Sequence, residues 1–411
     1  MPPYIPAESL TCEYQHSPLG IDVTRPRLGW RLEAPERSVR QTAYQIRAAG
    51  SLDDLHGDRD VLWDTGRVES RQSTQRPYTG PPLQSRQRCF WQVRIWDDHG
   101  QPTAWSEPAA WEMGLLQPAD WQAEFITPAS SISSPCPFLR AIFKISGDIQ
   151  SARAYVSSLG LYELELNGRR VGDWLFTPGW TSYNFRLQYQ TYDIASDLQP
   201  GLNAIGAILG EGWYRGRVRG AGQPPGYGGP LALLAQLVIT STDGRVQVLG
   251  SDTSWASSTG PLLKSDIYDG EDYDARLEQP GWSTAGFDAG AWAPVQPLDR
   301  SHFSRLVAQY GPPVRRIETI RPVAILPSPP GQALVDMGQN MVGWVRLRVR
   351  GPAGATVTLR HAEVLDQAGR FYTDNLRDAQ QTDRYTLKGG GEEVYEPRFT
   401  FHGFRYVLVE G

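Results

Sequence analysis

Four carboxylates fall within six positions of the segment YDGEDYDAR: Asp269, Glu271, Asp272 and Asp274. Two close carboxyl groups can act as a hydrolytic acid–base pair, and several acidic oxygens together suit a hard cation such as Ca²⁺. The segment lacks the twelve-residue ligand spacing of an EF-hand. We therefore interpret it as a turn and strand edge whose carboxylates pair with Arg276 or cap backbone N–H groups.

The six histidines show no H-x-x-x-H and no Ser/His/Asp spacing. On a predicted strand, His361 and Glu363 point to the same face, and Asp366 follows them. Two ligands do not make a metal site without a third and a fourth. We predict a solvated or interdomain face at His361 and a structural histidine at His402, beside a turn at Gly403.

Composition excludes several classes of protein. The cysteines Cys12, Cys89 and Cys136 are not closely spaced, which argues against a disulfide framework and a zinc site and predicts buried thiols. The net charge is −5 without any basic run, so we expect no nucleic-acid partner. The first residues show no secretory signal, and no apolar run reaches membrane-spanning length. These features predict a cytoplasmic protein that binds no membrane.

The elements that position these residues are predicted to be strands. The chain has 14 Trp, 18 Tyr and 12 Phe alongside 32 Pro and 42 Gly, and aromatic residues favour strands while Pro and Gly favour turns. Residues 90–95 alternate with period two, and Asn167-Gly168 and Asp243-Gly244 indicate hairpins. The apolar run 231–240 predicts a strand covered on both faces. Residues 343–365 predict a further pair of strands.

Two shifts in composition indicate domain borders. One is the Pro- and Ser-rich stretch 115–137, and the other is the Pro-dense stretch 307–332. Short strands with frequent turn signals are typical of sandwiches and barrels. We predict an all-β protein of three consecutive β-sandwich or jelly-roll domains, at 1–117, 118–305 and 306–411.

Several long stretches resemble one family. They are LTCEYQHSPLGIDVTRPRLGWRL at 10–32, the stretch from LGLYELELNGRRVGDW to GEGWYRGR at 159–217, SDIYDGEDYDARLEQPGW at 265–282, and the stretch that begins DMGQNMVGW at 336–389. In this order they resemble the bacterial α-L-rhamnosidases of glycoside hydrolase family 78. The resemblance implies a fibronectin-type-III-like first domain, a jelly-roll second domain closed by 265–282, and a third β-sandwich.

The family reaction is the inverting hydrolysis of terminal α-L-rhamnosides by two carboxyl groups with room for water between them. In the family a helical (α/α)₆ barrel carries those groups, and no series of long amphipathic helices is evident here. The resemblance therefore implies a non-catalytic N-terminal portion, inactive alone, with the barrel expected after residue 411. A stand-alone lectin-like protein and a structural assembly module are the alternatives.

The resemblance also implies a carbohydrate-binding surface for a rhamnose-containing ligand on two loops of the second domain. Asp173 is its candidate calcium ligand and Arg217 its candidate donor to sugar hydroxyls. The candidate ring faces are those of Trp174, Trp180, Trp213, Tyr214 and Tyr227. The stretch after Arg217 holds Gln223 but no carboxylate, so calcium there would depend on backbone carbonyls. The alternative is that Trp180, Trp213 and Tyr214 are core residues that fix the loop.

Overall fold

A computed structural model describes residues 4–34, 37–57, 59–129, 136–217, 227–299 and 305–411. The chain forms two compact units, one of residues 1–121 with 307–312 and one of residues 122–306 with 313–411. Strands dominate both units, which confirms the all-β prediction. None of the helices among the described residues is long and apolar enough to cross a membrane.

The N-terminal unit packs two antiparallel sheets around one core. Its elements are β1 (Thr11–Cys12), β2 (Arg27–Gly29), β3 (Ala43–Ala49), helix α1 (Leu52–Gly57), β4 (Val61–Asp64), β5 (Val68–Glu69), β6 (Arg76–Pro77), β7 (Arg88–Trp96) and β8 (Ala109–Glu112). One sheet has the order β4-β3-β7-β8 with β5 also on β3, and the other has the order β1-β2-β6. The alternation predicted for residues 90–95 is confirmed, because Trp91, Val93 and Ile95 of β7 are completely buried.

The C-terminal unit begins with a jelly-roll-like sandwich. Its elements are β9 (Ile126–Pro128), β10 (Phe138–Ile145), β11 (Ile149–Leu159), β12 (Leu161–Leu166), β13 (Arg169–Arg170), β14 (Arg186–Asp193), β15 (Gly201–Gly210), helix α2 (Gly212–Arg215), β16 (Ala232–Ser241), β17 (Val246–Gly250), β18 (Ala256–Ser258), β19 (Leu262–Asp266), β20 (Gly270–Asp274) and β21 (Ala293–Pro297). Its strands follow the order β13-β12-β15-β10-β18-β21-β9-β16-β11-β14, with β17 on β16.

Local sequence signals account for several of these elements. Asn167 and Gly168 both have positive φ, 49° and 82°, as a type I′ turn between β12 and β13 requires. Strand β16 is buried along nearly its whole length, as its continuous apolar run predicted. The three cysteines are buried free thiols, which is also as predicted.

The chain continues into a second sandwich of the C-terminal unit. Strand β22 (Arg305–Ala308) precedes this sandwich in the chain and belongs to neither of its sheets. The strands that follow are β23 (Ala324–Leu326), β24 (Gln332–Gly343), β25 (Leu347–Arg350), β26 (Thr356–Ala362), β27 (Thr382–Thr386), β28 (Glu392–Tyr395) and β29 (His402–Glu410). Short 3₁₀ helices lie at Ala7–Ser9, Pro118–Asp120, Ala195–Asp197, Ala275–Leu277 and Asp374–Leu376. One sheet has the order β19-β20-β27-β26-β29-β24-β23, and β25 and β28 form a two-stranded sheet.

Two sequence expectations about this second sandwich are wrong. Strands β25 and β26 are not a pair, because β25 pairs with β28 while β26 lies in the seven-stranded sheet. Leu347 and Val349 of β25 pack against the core shared by both sheets, which places the strand opposite β26 and not beside it. The segment 265–282 does not simply close the first sandwich, because β20 pairs in parallel with β27. The division into three domains stays a prediction.

A carboxylate–guanidinium pair joins β24 to the last strand. Asp336 accepts two hydrogen bonds from Arg405, at 2.9 Å each, and one from the Gly338 backbone N–H at 2.7 Å. The hydrogen bonds from Arg405 hold the pKa of Asp336 below its ordinary value of 3.8. The ionised carboxylate therefore stabilises the fold above about pH 4, and this contribution is lost as the pH falls through the lowered pKa.

We predict that Asp336→Asn lowers the melting temperature of the C-terminal unit by roughly 2–4 °C at pH 7. The difference from the unchanged chain should shrink as the pH falls below about 4, because the carboxyl of the unfolded chain is protonated there first and that of the folded chain follows only at its lowered pKa. Calorimetry across this pH range measures both effects. Asp243→Asn is the control, because Asp243 pairs with Arg245 on an exposed hairpin where ion pairs contribute little. A difference that is equal at pH 3 and pH 7 would contradict the prediction.

Candidate functional site

Two of the predicted tryptophans form a stacked pair at the surface of the first sandwich of the C-terminal unit. Trp180 lies in the loop after β13, and Trp213 lies in α2. Their ring centroids are 6.1 Å apart and their planes differ by 7°. Trp180 is 57% exposed, whereas Trp213 is half-buried. We call this pair the indole platform, because a rigid aromatic surface faces solvent here.

Phe176 holds the indole platform in place by packing against Trp213. Its buried ring meets Trp213 edge-on with a centroid distance of 6.3 Å, and it makes similar contacts with Trp344 and Phe401. Phe176 has a φ of 54°, a conformation that is strained for a bulky residue. Such strain persists only where packing over-determines the position, and three aromatic contacts supply that packing.

The backbone of the loop is held by strand β12. The Tyr162 N–H donates to the Thr177 carbonyl at 2.9 Å, and the Thr177 hydroxyl donates back to the Tyr162 carbonyl at 3.0 Å. The Gly179 N–H donates to the Phe176 carbonyl at 2.9 Å and closes the turn that leads to Trp180. These bonds explain how an exposed loop holds an indole ring in a defined place.

The predicted tyrosines lie beside this loop in a group of their own. Tyr214 is buried and stacks on Tyr227 at 6.3 Å, and Tyr183 meets both rings edge-on. The hydroxyl of Tyr214 lies so close to Gly229 that a Cβ there would be only 2.3 Å away. Tyr214 is therefore a packing residue that connects α2 to the chain at Tyr227 and Gly229.

Asp173 and Trp174 form a separate group. Asp173 is exposed and makes an ion pair with Arg315, whose Nε lies 3.0 Å from Oδ2. The same guanidinium lies 5.9 Å from the centroid of Trp174, which packs on Tyr192. In the part of the chain that the structure describes, Asp173 belongs to no group of three or more potential metal ligands. Calcium at Asp173 stays a prediction.

Arg217 is engaged by carboxylates. Its two terminal nitrogens donate to Asp269 at 2.8 Å and to Asp378 at 2.9 Å, and its backbone N–H donates to Asp266 at 2.8 Å. A sugar hydroxyl would therefore compete with two carboxylates for the donors of this guanidinium. Gln223 lies outside the described residues.

The acidic segment pairs and caps as interpreted from the sequence, but its strand β20 lies between β19 and β27 and is not a strand edge. Asp274 pairs with Arg276 at 2.7 Å and also accepts from its backbone N–H. Glu271 is completely buried and accepts hydrogen bonds from the Tyr395 hydroxyl and the Arg398 N–H. Burial raises the pKa of Glu271 to about 8, so its carboxyl is largely protonated at neutral pH. These residues join strands, and the prediction of pairing and capping is confirmed.

Sequence reasoning missed the residues that organise the site. Phe176 and Trp344 were not singled out, although Phe176 lies within the same loop as Trp180. Phe185, which is strongly exposed near this loop, was missed as well. The signal that could have identified Phe176 was its position between Trp174 and Trp180, the two predicted tryptophans of this loop.

Comparison with protein families identifies the chain. Residues 7–117 match the Rha78A-like N-terminal immunoglobulin domain, 147–318 the α-L-rhamnosidase N-terminal domain, and 327–411 the bacterial α-L-rhamnosidase concanavalin-like domain. The chain belongs to the α-L-rhamnosidase family and corresponds to its N-terminal domains. Among the described residues, the α-helices Leu52–Gly57 and Gly212–Arg215 are far too short to build the family's helical barrel.

Known α-L-rhamnosidases match along the whole chain. An α-L-rhamnosidase of Formosa agariphila is 37% identical over 96% of this chain and 44% of its own length. The crystal structure of Streptomyces avermitilis α-L-rhamnosidase complexed with L-rhamnose matches at 33% identity with a TM-score of 0.91, over all of this chain and 56% of that one. The native enzyme of Aspergillus terreus matches at 40% with a TM-score of 0.91, over all of this chain and 47% of its own. The chain thus spans about half the length of the relatives it matches.

We predict that Phe176→Ala lowers the free energy of unfolding of the C-terminal unit by about 3–5 kcal/mol, because it removes a buried ring from three aromatic contacts. Trp180→Ala should cost less than about 1 kcal/mol, because most of its side chain is already in water. Urea titration followed by circular dichroism measures both values. Equal destabilisation by the two substitutions would show that Trp180 is a core residue and not a surface platform.

Proposed function

We propose that these domains form the accessory half of a rhamnoside-hydrolysing enzyme, supporting a catalytic (α/α)₆ barrel and contacting carbohydrate through the indole platform. The stacked pair of the exposed Trp180 and the half-buried Trp213 carries the carbohydrate part of the proposal. The face of an indole ring suits the C–H face of a sugar, and an aromatic surface that is already ordered loses little entropy on binding. Rhamnose carries a methyl group where other hexoses carry a hydroxymethyl group, and this methyl group enlarges its apolar surface.

The supporting role rests on apolar surface in the second sandwich of the C-terminal unit. Ile317, Val323, Ile325 and Val342 are all more than half exposed, and Ile325 lies on the edge strand β23. Exposed apolar side chains on an edge strand are typical of surfaces that another domain covers. This observation favours a supporting domain over a self-standing lectin.

Catalysis is expected to need the remainder of a rhamnosidase chain. We predict that the 411-residue chain releases no p-nitrophenol from p-nitrophenyl α-L-rhamnoside above the rate without protein, because no helical barrel lies among its described residues. The α-L-rhamnosidase of Streptomyces avermitilis serves as the positive control. Hydrolysis that co-purifies with the chain through two chromatographic steps would overturn this part of the proposal.

Carbohydrate contact is tested separately. We predict weak, about millimolar binding of L-rhamnose, seen as saturation transfer in NMR from the protein to the sugar methyl group. Trp180→Ala should abolish the transfer, while Trp105→Phe, in the N-terminal unit, should leave it unchanged. Repeating the titration with Ca²⁺, with a chelator and with Asp173→Asn tests the calcium prediction. Equal saturation transfer in Trp180→Ala and in the unchanged chain would show that the indole platform does not bind the sugar and would overturn this part of the proposal.

A further inference from the structure

Three potential metal ligands meet inside the seven-stranded sheet. They are His361 on β26, Asp383 on β27 and His402 at the start of β29, and all three are almost completely buried. One ligand atom of each lies within 4.8 Å of the others. The sequence had predicted a solvated or interdomain face at His361. The side chain is completely buried, so the solvated alternative is wrong, and the interdomain alternative stays a prediction.

Hydrogen bonding fixes the state of the His361 ring. Nδ1 lies 2.9 Å from the Gln381 carbonyl oxygen, which can only accept, so Nδ1 carries the proton. Nε2 is then unprotonated and carries a free lone pair, and this buried atom has no hydrogen-bond partner. Burial and the neighbouring His402 lower the pKa of His361 to about 3, so the ring stays neutral at physiological pH. A neutral imidazole whose other nitrogen donates to a carbonyl is typical of a metal ligand.

Asp383 is equally well oriented. Its Oδ1 accepts from the Glu271 backbone N–H at 3.0 Å, and its Oδ2 lies 3.0 Å from His402 Nε2. Both carboxylate oxygens are thus oriented by neighbouring groups, in an interior where a carboxylate is costly unless hydrogen bonds or an opposite charge compensate it.

A hydrogen-bonded His402–Asp383 pair does not account for the whole cluster. His402 Nδ1 and Gln381 Oε1 are also buried without hydrogen-bond partners, like His361 Nε2, and the backbone carbonyl of Gln381 is the one that lies against the His361 ring. A buried polar atom without a hydrogen-bond partner destabilises the folded state. Atoms of this kind call for a bound water or ion.

We propose that His361, Asp383 and His402 bind a divalent ion of the zinc class, which links β26, β27 and β29. Two imidazoles and a carboxylate suit Zn²⁺ better than Ca²⁺, which prefers a shell of oxygens. Gln381 Oε1 is the candidate fourth ligand. The two rings stack with centroids 4.1 Å apart, whereas two imidazoles bound to one tetrahedral zinc point their nitrogens at a common centre, and the ligand atoms lie within 4.8 Å of one another. Binding therefore requires one ring to rotate and the cluster to contract.

The test is metal analysis of the 411-residue chain prepared without a histidine tag. After refolding with Zn²⁺ and removal of free metal, we expect about one zinc per chain and a higher melting temperature than after refolding with a chelator. Refolding with Co²⁺ should give the visible absorption of a four-coordinate N/O site. No bound metal after refolding, together with an unchanged melting temperature, would overturn the proposal.

Variants locate the site. His361→Gln should lose the bound zinc and the zinc-dependent rise in melting temperature, whereas His99→Gln, on an exposed turn of the N-terminal unit, should keep both. Retention of stoichiometric zinc in His361→Gln would place the metal elsewhere and overturn the proposal. If His361→Gln does not fold, the Co²⁺ spectrum of the unchanged chain still decides between a nitrogen-containing site and none.

Discussion

The edge-on packing of Phe176 is the interaction on which the surface of the C-terminal unit depends. Its ring touches Trp213, which belongs to the indole platform, and Trp344 and Phe401, which belong to the second sandwich. A side chain in a strained backbone conformation thus joins three segments that are distant in sequence. Because aromatic rings contribute both buried area and geometry, the orientation of Trp213, and with it that of Trp180, is set by the second sandwich as well as by the first.

Local signals in the sequence predicted the local structure well. The Asn167-Gly168 turn, the buried strand β16 and the alternation in β7 follow from preferences that act over a few residues. The pairing of β25 with β28 and of β20 with β27 could not be read in this way. Asp272 and Arg384, which face each other across the parallel pair, are 112 residues apart, and no local pattern encodes such a partner.

The candidate site shows the same limit at the level of side chains. Residue type and loop composition pointed to aromatic residues on two loops, but they could not tell that Trp180 is exposed while Tyr214 is buried. Arg217 looked free to bind sugar because Asp378, one of its partners, lies 161 residues further along the chain. The burial of His361 was missed for a related reason, since His402 and Phe404, whose rings pack against it, are about 40 residues away in the sequence and only the fold brings them together.

The parallel contact between β20 and β27 has a consequence for how this region can be inherited. The seven-stranded sheet takes two of its strands, β19 and β20, from before residue 275 and the other five from after residue 323. A recombination event between the two sandwiches would divide one sheet into two incomplete ones, each with an unpaired inner edge. Although residues 147–318 and 327–411 match separate family models, they share one sheet, and we expect recombination to preserve that sheet only where both parts are exchanged together.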